Sequence, residues 1–305
     1  MAINSIGRTQ ADTAGFIPQI WAQEALPVLR ANLKLAKLVA RDTDFEPGWH
    51  GKTLNIPYPG TFTAQDKTEG NPATVQQTLN AGMVSLTLNK YKTVDFLVED
   101  WAQAQANSNL IQRYVTPAAI ALAEQLETDL FANYVSLTGS AGTSGTDMTD
   151  AVIRTARKLL NDAKNPMEDR SMMISTKDEI ALLGDTNLQT YFAFSQNQAL
   201  KEGSIGRLYG FDLFTSQLVP VVTGTPNSTK CLAIHKNAIL LATRPLPTPP
   251  ADSGVHSATI MDPMSGLTIR TLFQYSADYR GVRVMFDLLY GSMCLRPTAG
   301  VVVLT

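Results

Sequence analysis

Apolar residues follow a helical rhythm through much of the first half of this chain and an alternating rhythm through the second. Within Ile17–Leu38, the residues Trp21, Leu26, Leu29, Leu33 and Leu38 return at near-helical spacing, and Pro27 splits the stretch into two short pieces. Such a segment is either an arm resting on a neighbour or a helix covering its own core. From Asp42 to Pro72 the chain turns rich in Gly, Pro, Thr and Asn, with a short alternating strand at Thr53–Pro57. Leu79 to Phe96 then alternates, with Val84, Leu86 and Leu88 on one face of a strand. Two extended stretches joined by a polar tip, Thr63 to Thr74, predict a long hairpin. A projecting hairpin has little core of its own, so an outside surface has to order it.

A long alanine-rich helix follows, over Asp100 to Val135. Asp100 is a candidate N-cap, Asn107, Ser108 and Asn109 interrupt the pattern, and Asn109 or Thr116 is placed to cap a new start. Thr116-Pro117 fits a cap followed by proline at the first helical position. Ile120, Leu122, Leu126, Leu130, Phe131 and Tyr134 form a broad apolar stripe, and Glu124, Glu127 and Asp129 mark a solvated side. Unbroken, the element would reach roughly 50 Å at about 1.5 Å per residue.

Gly139 to Gly145 reads as a flexible turn. Helix, strand and helix follow at Asp150–Asp162, Arg170–Ser175 and Thr176–Leu183, and Tyr191–Glu202 reads as a loop. Beyond them lie strands at Gly206–Thr215, Cys231–Ile234, Asn237–Leu241, Leu267–Tyr275, Gly281–Leu289 and Gly300–Leu304, with a proline-dense loop at Pro245–Gly254. The fold class is α+β.

Composition adds one hint. Charged residues are 17% of the chain, below the roughly 25% of an ordinary soluble domain, which suits a surface largely covered by partners. A net charge of −2 gives no global nucleic-acid signature. Cys231 and Cys294 read as reduced core residues, and neither a signal-peptide pattern nor a bilayer-length apolar run is present, so use in a cytoplasm without a membrane step is expected.

Chemistry is sparse. His50, His235 and His256 lie far apart without metal-ligand spacing, and no serine sits in GxSxG. Gly139–Gly145 has no adjacent lysine for a phosphate loop. His235 follows Cys231 by four residues, but a strand there does not make a catalytic dyad. No catalytic, metal or cofactor residue is expected.

The segments EDWAQAQA, ALAEQLETDLFANY, GSIGRLYGFDLFTSQLVP, LAIHKNAILLATRPL and YRGVRVMFDLLYGSMCLRP, in this order, resemble the major capsid proteins of tailed bacteriophages. The resemblance spans nearly the whole chain and is to the HK97-type fold, in the branch typified by the phage P22 coat protein. It implies an N-terminal arm over residues 1–41, an extended loop over 42–83, and a peripheral domain over 84–150 with a spine helix near 100–135. An axial domain over 151–282 and a C-terminal return to the peripheral domain over 283–305 would complete it. It also implies a function: copies tile an icosahedral shell, as pentamers and hexamers, around double-stranded DNA in a virion assembled in the bacterial cytoplasm. Scaffolding and portal proteins are the implied partners, with non-specific DNA contact and no membrane.

Two departures matter. The chain is too short for the large inserted domain of the P22 branch, so a decoration protein or tighter arm contacts would have to stabilise the shell. No lysine–asparagine crosslinking pair can be matched, so the shell is expected to be non-covalent. Candidate inter-subunit contacts are Asp66, Lys67 and Glu69 at the hairpin tip, with Trp21, Arg280 and Arg283. Arg30, Lys34 and Lys37 are candidates to face DNA or a neighbour, or simply water. The alternatives are a virion protein forming rings or tubes and, with little support, a hydrolase using His235.

Overall fold

Two β-sheets and one long helix organise the chain in a computed structural model, which describes residues 33–41, 53–59, 64, 66–67, 69–70, 81–105, 110–185, 206–250, 254–261 and 267–305. The helices are α1 (Leu35–Leu38), α2 (Asp100–Gln105), α3 (Leu110–Phe131), α4 (Asp150–Asp162) and α5 (Thr176–Leu183). Strands β1 (Ala40–Arg41), β2 (Thr53–Pro59), β3 (Ala81–Thr87), β4 (Lys90–Glu99) and β5 (Gly139–Gly142) belong to the first half. The second half holds β6 (Arg170–Ile174), β7 (Arg207–Leu208), β8 (Phe211–Thr215), β9 (Val221–Val222) and β10 (Ser228–His235). It ends with β11 (Ile239–Arg244), β12 (Val255–Met261), β13 (Thr268–Ser276), β14 (Gly281–Cys294) and β15 (Gly300–Leu304).

β14 is the hub of the first sheet, ordered β1-β11-β14-β13-β12 with β4 also on β14. It pairs with β13 over Gly281–Leu288, β4 over Gly281–Tyr290 and β11 over Leu289–Cys294. Its alternation explains why: Val284, Phe286, Leu288 and Tyr290 are buried on one face, while Arg283 and Met285 look the other way. That buried face meets the stripe Val115, Ala119, Leu122, Leu126 and Leu130 of α3, and Phe96 of β4 lies 5.6 Å from the Tyr114 ring.

The second sheet runs β5-β15-β10-β6-β8-β7, with β9 on β10. β6, β10 and β15 are almost wholly buried, and α4 and α5 send Ile153, Ala156, Leu160 and Leu182 into the same core. Buried on both faces, these strands read as continuous apolar runs rather than alternating ones.

Several expectations change. Within the span of the expected long helix, α2 covers Asp100–Gln105, and α3 has 22 residues and about 33 Å, followed by a 3-10 turn at Ala132–Ser136. Pro117 sits inside α3, not at its start. Its exposed position costs one backbone hydrogen bond, which packing of the buried stripe on the sheet outweighs. Gly139–Gly142 is not a flexible turn but a strand parallel to β15. A Cβ on Gly139 would lie 2.8 Å from a Val301 methyl, so glycine permits the close pairing. Glu127 is not solvated but buried. Sheet membership also crosses the expected boundaries: β11, β12 and β13 join β4 in the first sheet, and β15 joins β6 in the second. Trp21, Arg30 and the Tyr191–Glu202 loop lie outside the described residues.

Candidate assembly surfaces

Residues 33–41 form a clip that enters the core from the N-terminal side. Leu33, Leu35, Ala36 and Val39 are buried, β1 adds to β11 in parallel, and the Arg41 guanidinium donates to the Ala36 carbonyl. The Glu127 carboxylate, 1% exposed, accepts the backbone amides of Lys34 at 2.5 Å and Ala36 at 3.3 Å. It thereby satisfies amides that begin a helix too short to satisfy them itself. Burial raises the Glu127 carboxyl above its ordinary range, and the amides oppose that rise. The Lys34 amine donates to the Thr215 carbonyl at the end of β8, so this residue ties α3 to the second sheet. Lys37 is exposed beside it.

β2 and β3 form the expected hairpin, in register from Thr53 opposite Thr87 to Pro59 opposite Ala81. Its base is anchored: Leu86 and Leu88 pack with Leu240 and Ala242, flanked by Leu54, Ile56 and Met293. Farther out Met83 is 67% exposed. Asp66, Lys67 and Glu69 are exposed at the tip and make no ion pair among the described residues.

At the opposite end of the first sheet, the β13–β14 turn meets the start of α2. The Asp100 amide donates to the Arg280 carbonyl, and the Tyr275 hydroxyl donates to the Asp100 carboxylate at 2.7 Å. This corner carries Trp101, 70% exposed, and Tyr279, 68% exposed. Glu99, Asp278 and Arg280 are exposed there and make no ion pair among the described residues. Arg283 differs: its Nε lies 2.9 and 2.8 Å from the two oxygens of Asp95 on β4, so its charge is engaged within the chain. Arg280 in the β13–β14 turn and Arg283 on β14 thus lie at the same end of the first sheet.

The interior polar groups are structural. Asp178 is fully buried and accepts from Ser175 Oγ at 2.6 Å, Cys231 Sγ at 3.1 Å and Thr305 Oγ1 at 3.1 Å, joining α5, β10 and the end of β15. Burial, then Asp178, pushes the Cys231 thiol far up, the reverse of an activated nucleophile. His235 is buried, its Nδ1 accepts the Asn237 amide at 3.2 Å, and burial lowers its pKa. That hydrogen bond caps a turn, and the Cys231 thiol donates to Asp178, not to His235. An open polar cleft of about 410 Å³ lies between Ser175–Lys177, Ser216–Gln217 and Asn227–Thr229, and neither His235 nor Cys231 lines it. No group of three potential metal ligands occurs among the described residues.

The profile of a phage capsid protein family matches residues 32–245, well over half of the chain. This chain belongs to that phage capsid protein family. No curated protein sequence matches it. Among solved structures, one from Mycobacterium phage Che8 is similar at 22% identity and TM-score 0.66, covering 89% of this chain and 90% of that one. A capsid structure of the cyanophage P-SCSP1u is similar at 15% identity and TM-score 0.63, covering 89% and 87%. The mature capsid of bacteriophage PhiM1 follows at 10% identity and TM-score 0.61, covering 89% and 86%. At such identities the likeness establishes the fold, which is the HK97-type capsid fold. The capsid protein is a structural component of a virion, not an enzyme.

Sequence reasoning missed Glu127, Trp101 and Tyr279 as placed residues of this capsid protein. Glu127 carried a signal: it falls between Leu126 and Leu130 near the apolar stripe of α3. Trp101 was legible only as a helix residue, because its exposure depends on how α2 leaves the sheet.

Proposed function

We propose that copies of this chain close into an icosahedral shell of pentamers and hexamers around double-stranded DNA. The family match over residues 32–245 carries this reading. The geometry suits it: the hairpin, anchored at its base with Met83 exposed farther out, and an aromatic corner at the far end of the sheet both offer surface to a neighbour. Contacts held by projecting elements tolerate the small angular changes between five- and six-fold environments.

The first sheet with α3 makes up the peripheral domain, the second sheet with α4 and α5 the axial domain, and residues 42–83 the extended loop. The corner at Trp101, Tyr279 and Arg280 meets another copy, with Arg280 reaching an acidic side chain of that copy. Asp66, Lys67 and Glu69 pair across subunits at the loop tip. Arg30, Lys34 and Lys37 face DNA or a neighbour. Assembly proceeds in the bacterial cytoplasm with scaffolding and portal proteins, and a decoration protein or tight arm contacts replace the missing inserted domain.

Electron microscopy of the expressed protein tests this. Closed shells tens of nanometres across are expected; open tubes, single rings or a persistent monomer would refute it.

A further inference from the structure

A charged side chain is rarely buried without a partner of opposite charge. Around the second sheet, Arg154 bonds Asp150 at 2.5 Å and Arg207 lies 3.5 Å from Asp212. Arg157 and Arg170 break that pattern. Arg170, at the start of β6, is 3% exposed. Its Nε donates to the Pro166 carbonyl at 2.7 Å, Nη1 to Asn161 Oδ1 at 2.8 Å and Nη2 to the Asn165 carbonyl at 2.8 Å. All three acceptors are neutral. A guanidinium has five N–H donors, so one on each Nη is left over. Arg157, half-buried on α4, makes no hydrogen bond or ion pair among the described residues. The fold sets the two side by side. Arg157 stands one turn before Asn161 on α4, and Asn161 holds Arg170. From the other side comes the tight turn between β7 and β8, since Ser171 beside Arg170 pairs with Asp212. A Cβ on Gly210 in that turn would lie 3.9 Å from Arg157 Cζ. Tyr209 and Gly210 both have positive φ, 48° and 84°, which lets the turn be so short. Burial, then Arg157, lowers the pKa of Arg170, so the two charges act on each other. Both still keep their protons at any working pH. Asp162, Glu168 and Asp169 are exposed in the same stretch and pair with neither arginine among the described residues.

We propose that Arg157 and Arg170 form an oxyanion site for a dianionic phosphate, either the free ion or the terminal phosphate of a small molecule. Arg157 is the group that touches the ligand, and Arg170 strengthens the positive field behind it. The site stands independently of shell closure. Two positive charges call for an anion of matching charge, and a dianionic phosphate presents three or more oxygens to guanidinium donors. A single carboxylate offers one charge and two oxygens, enough for one fork. A phosphate within a DNA strand also carries one charge, and Arg170 lies beneath the surface that a duplex could lie against. Binding would offset the cost of a buried cation that has no acidic partner. It would also tighten the join between α4 and β6, because Arg170 already clamps the connection through Asn165 and Pro166.

Titration of full-chain subunits with inorganic phosphate at fixed ionic strength, read by phosphorus NMR and by thermal unfolding, tests the site. Saturable binding and a rise in melting temperature are expected, with no rise from chloride or acetate. A nucleoside monophosphate separates the two sources: competition assigns a terminal phosphate, and its absence assigns the free ion. Arg157→Gln removes no bond of the subunit, so it should leave the melting temperature without phosphate unchanged and weaken binding at least about tenfold. Arg157→Lys, with the charge but not the fork, should fall between the two. Lys158→Gln, at the exposed position next in sequence, should bind like the parent. Absence of saturation, or an Arg157→Gln variant that binds as tightly as the parent, overturns the proposal. Acetate binding as well as phosphate would make this a carboxylate site, and duplex DNA competing as well as phosphate would make it a nucleic-acid surface; either result also overturns it.

Discussion

Removing the Glu127 carboxylate should release the clip at residues 33–41, and the size of the effect follows from what the carboxylate holds. Glu127→Ala leaves the Lys34 and Ala36 amides without their acceptor in a water-poor site. Orphaning each costs about 1–3 kcal/mol, and relief of a buried charge returns part of it, so a net loss of about 2–4 kcal/mol is expected. Glu127→Gln keeps an acceptor oxygen in place and removes the charge, so it should fall within about 1 kcal/mol of the parent. The two variants are compared by urea unfolding of dissociated subunits and by hydrogen exchange at residues 33–41. Exchange there should rise strongly in the alanine variant and little in the glutamine one. The pH dependence has a definite sign. Burial raises the Glu127 carboxyl in the folded chain, so the folded state binds this proton more readily than the unfolded state does. Its contribution is therefore most favourable below the ordinary carboxylate pKa and is lost as pH rises through the raised folded value. Glu127→Gln should flatten that part of the stability–pH curve. A glutamine variant as unstable as the alanine one would refute the reasoning, because the charge rather than the acceptor would then hold the clip.

Four further outcomes are expected. Arg270→Ala leaves Asp287, 2% exposed and bonded at 2.5 Å, without its cross-strand partner, and should lower subunit stability by about 3–5 kcal/mol in denaturant unfolding. Gly139→Val forces a side chain against Val301 and should lower the melting temperature by several degrees, about 1–3 kcal/mol of overpacking. Trp101→Ala and Tyr279→Ala, at exposed positions, should leave unfolding within about 0.5 kcal/mol and reduce shell yield by electron microscopy. Shells boiled in denaturant should run as a single subunit band, and a ladder of crosslinked species would contradict a non-covalent shell.

Much of the second half was legible because its strands are short and their limits are marked by turns. Asp150–Asp162, Thr176–Leu183 and Gly300–Leu304 stand where periodicity placed them. Ser175 caps α5 by accepting the Asp178 amide, a local interaction that local sequence encodes. Gly139–Gly142 was illegible for the opposite reason. Nothing in Gly-Ser-Ala-Gly favours a strand, and the pairing comes from Val301–Leu304, far along the chain. The solvated reading of Glu127 failed likewise, since the amides that use it come from a segment 91 residues away.

The chain's own pattern determined most of the element types, the two strands of the hairpin and the α+β class, because these depend on spacing and turn residues. Tertiary structure alone decided which strands share a sheet, which acid is buried, and which aromatics stand in solvent. Those outcomes depend on contacts between residues remote in sequence. β14 shows the difference: its alternation announces a strand, but only packing assigns its buried face to α3 and its edges to β4, β11 and β13.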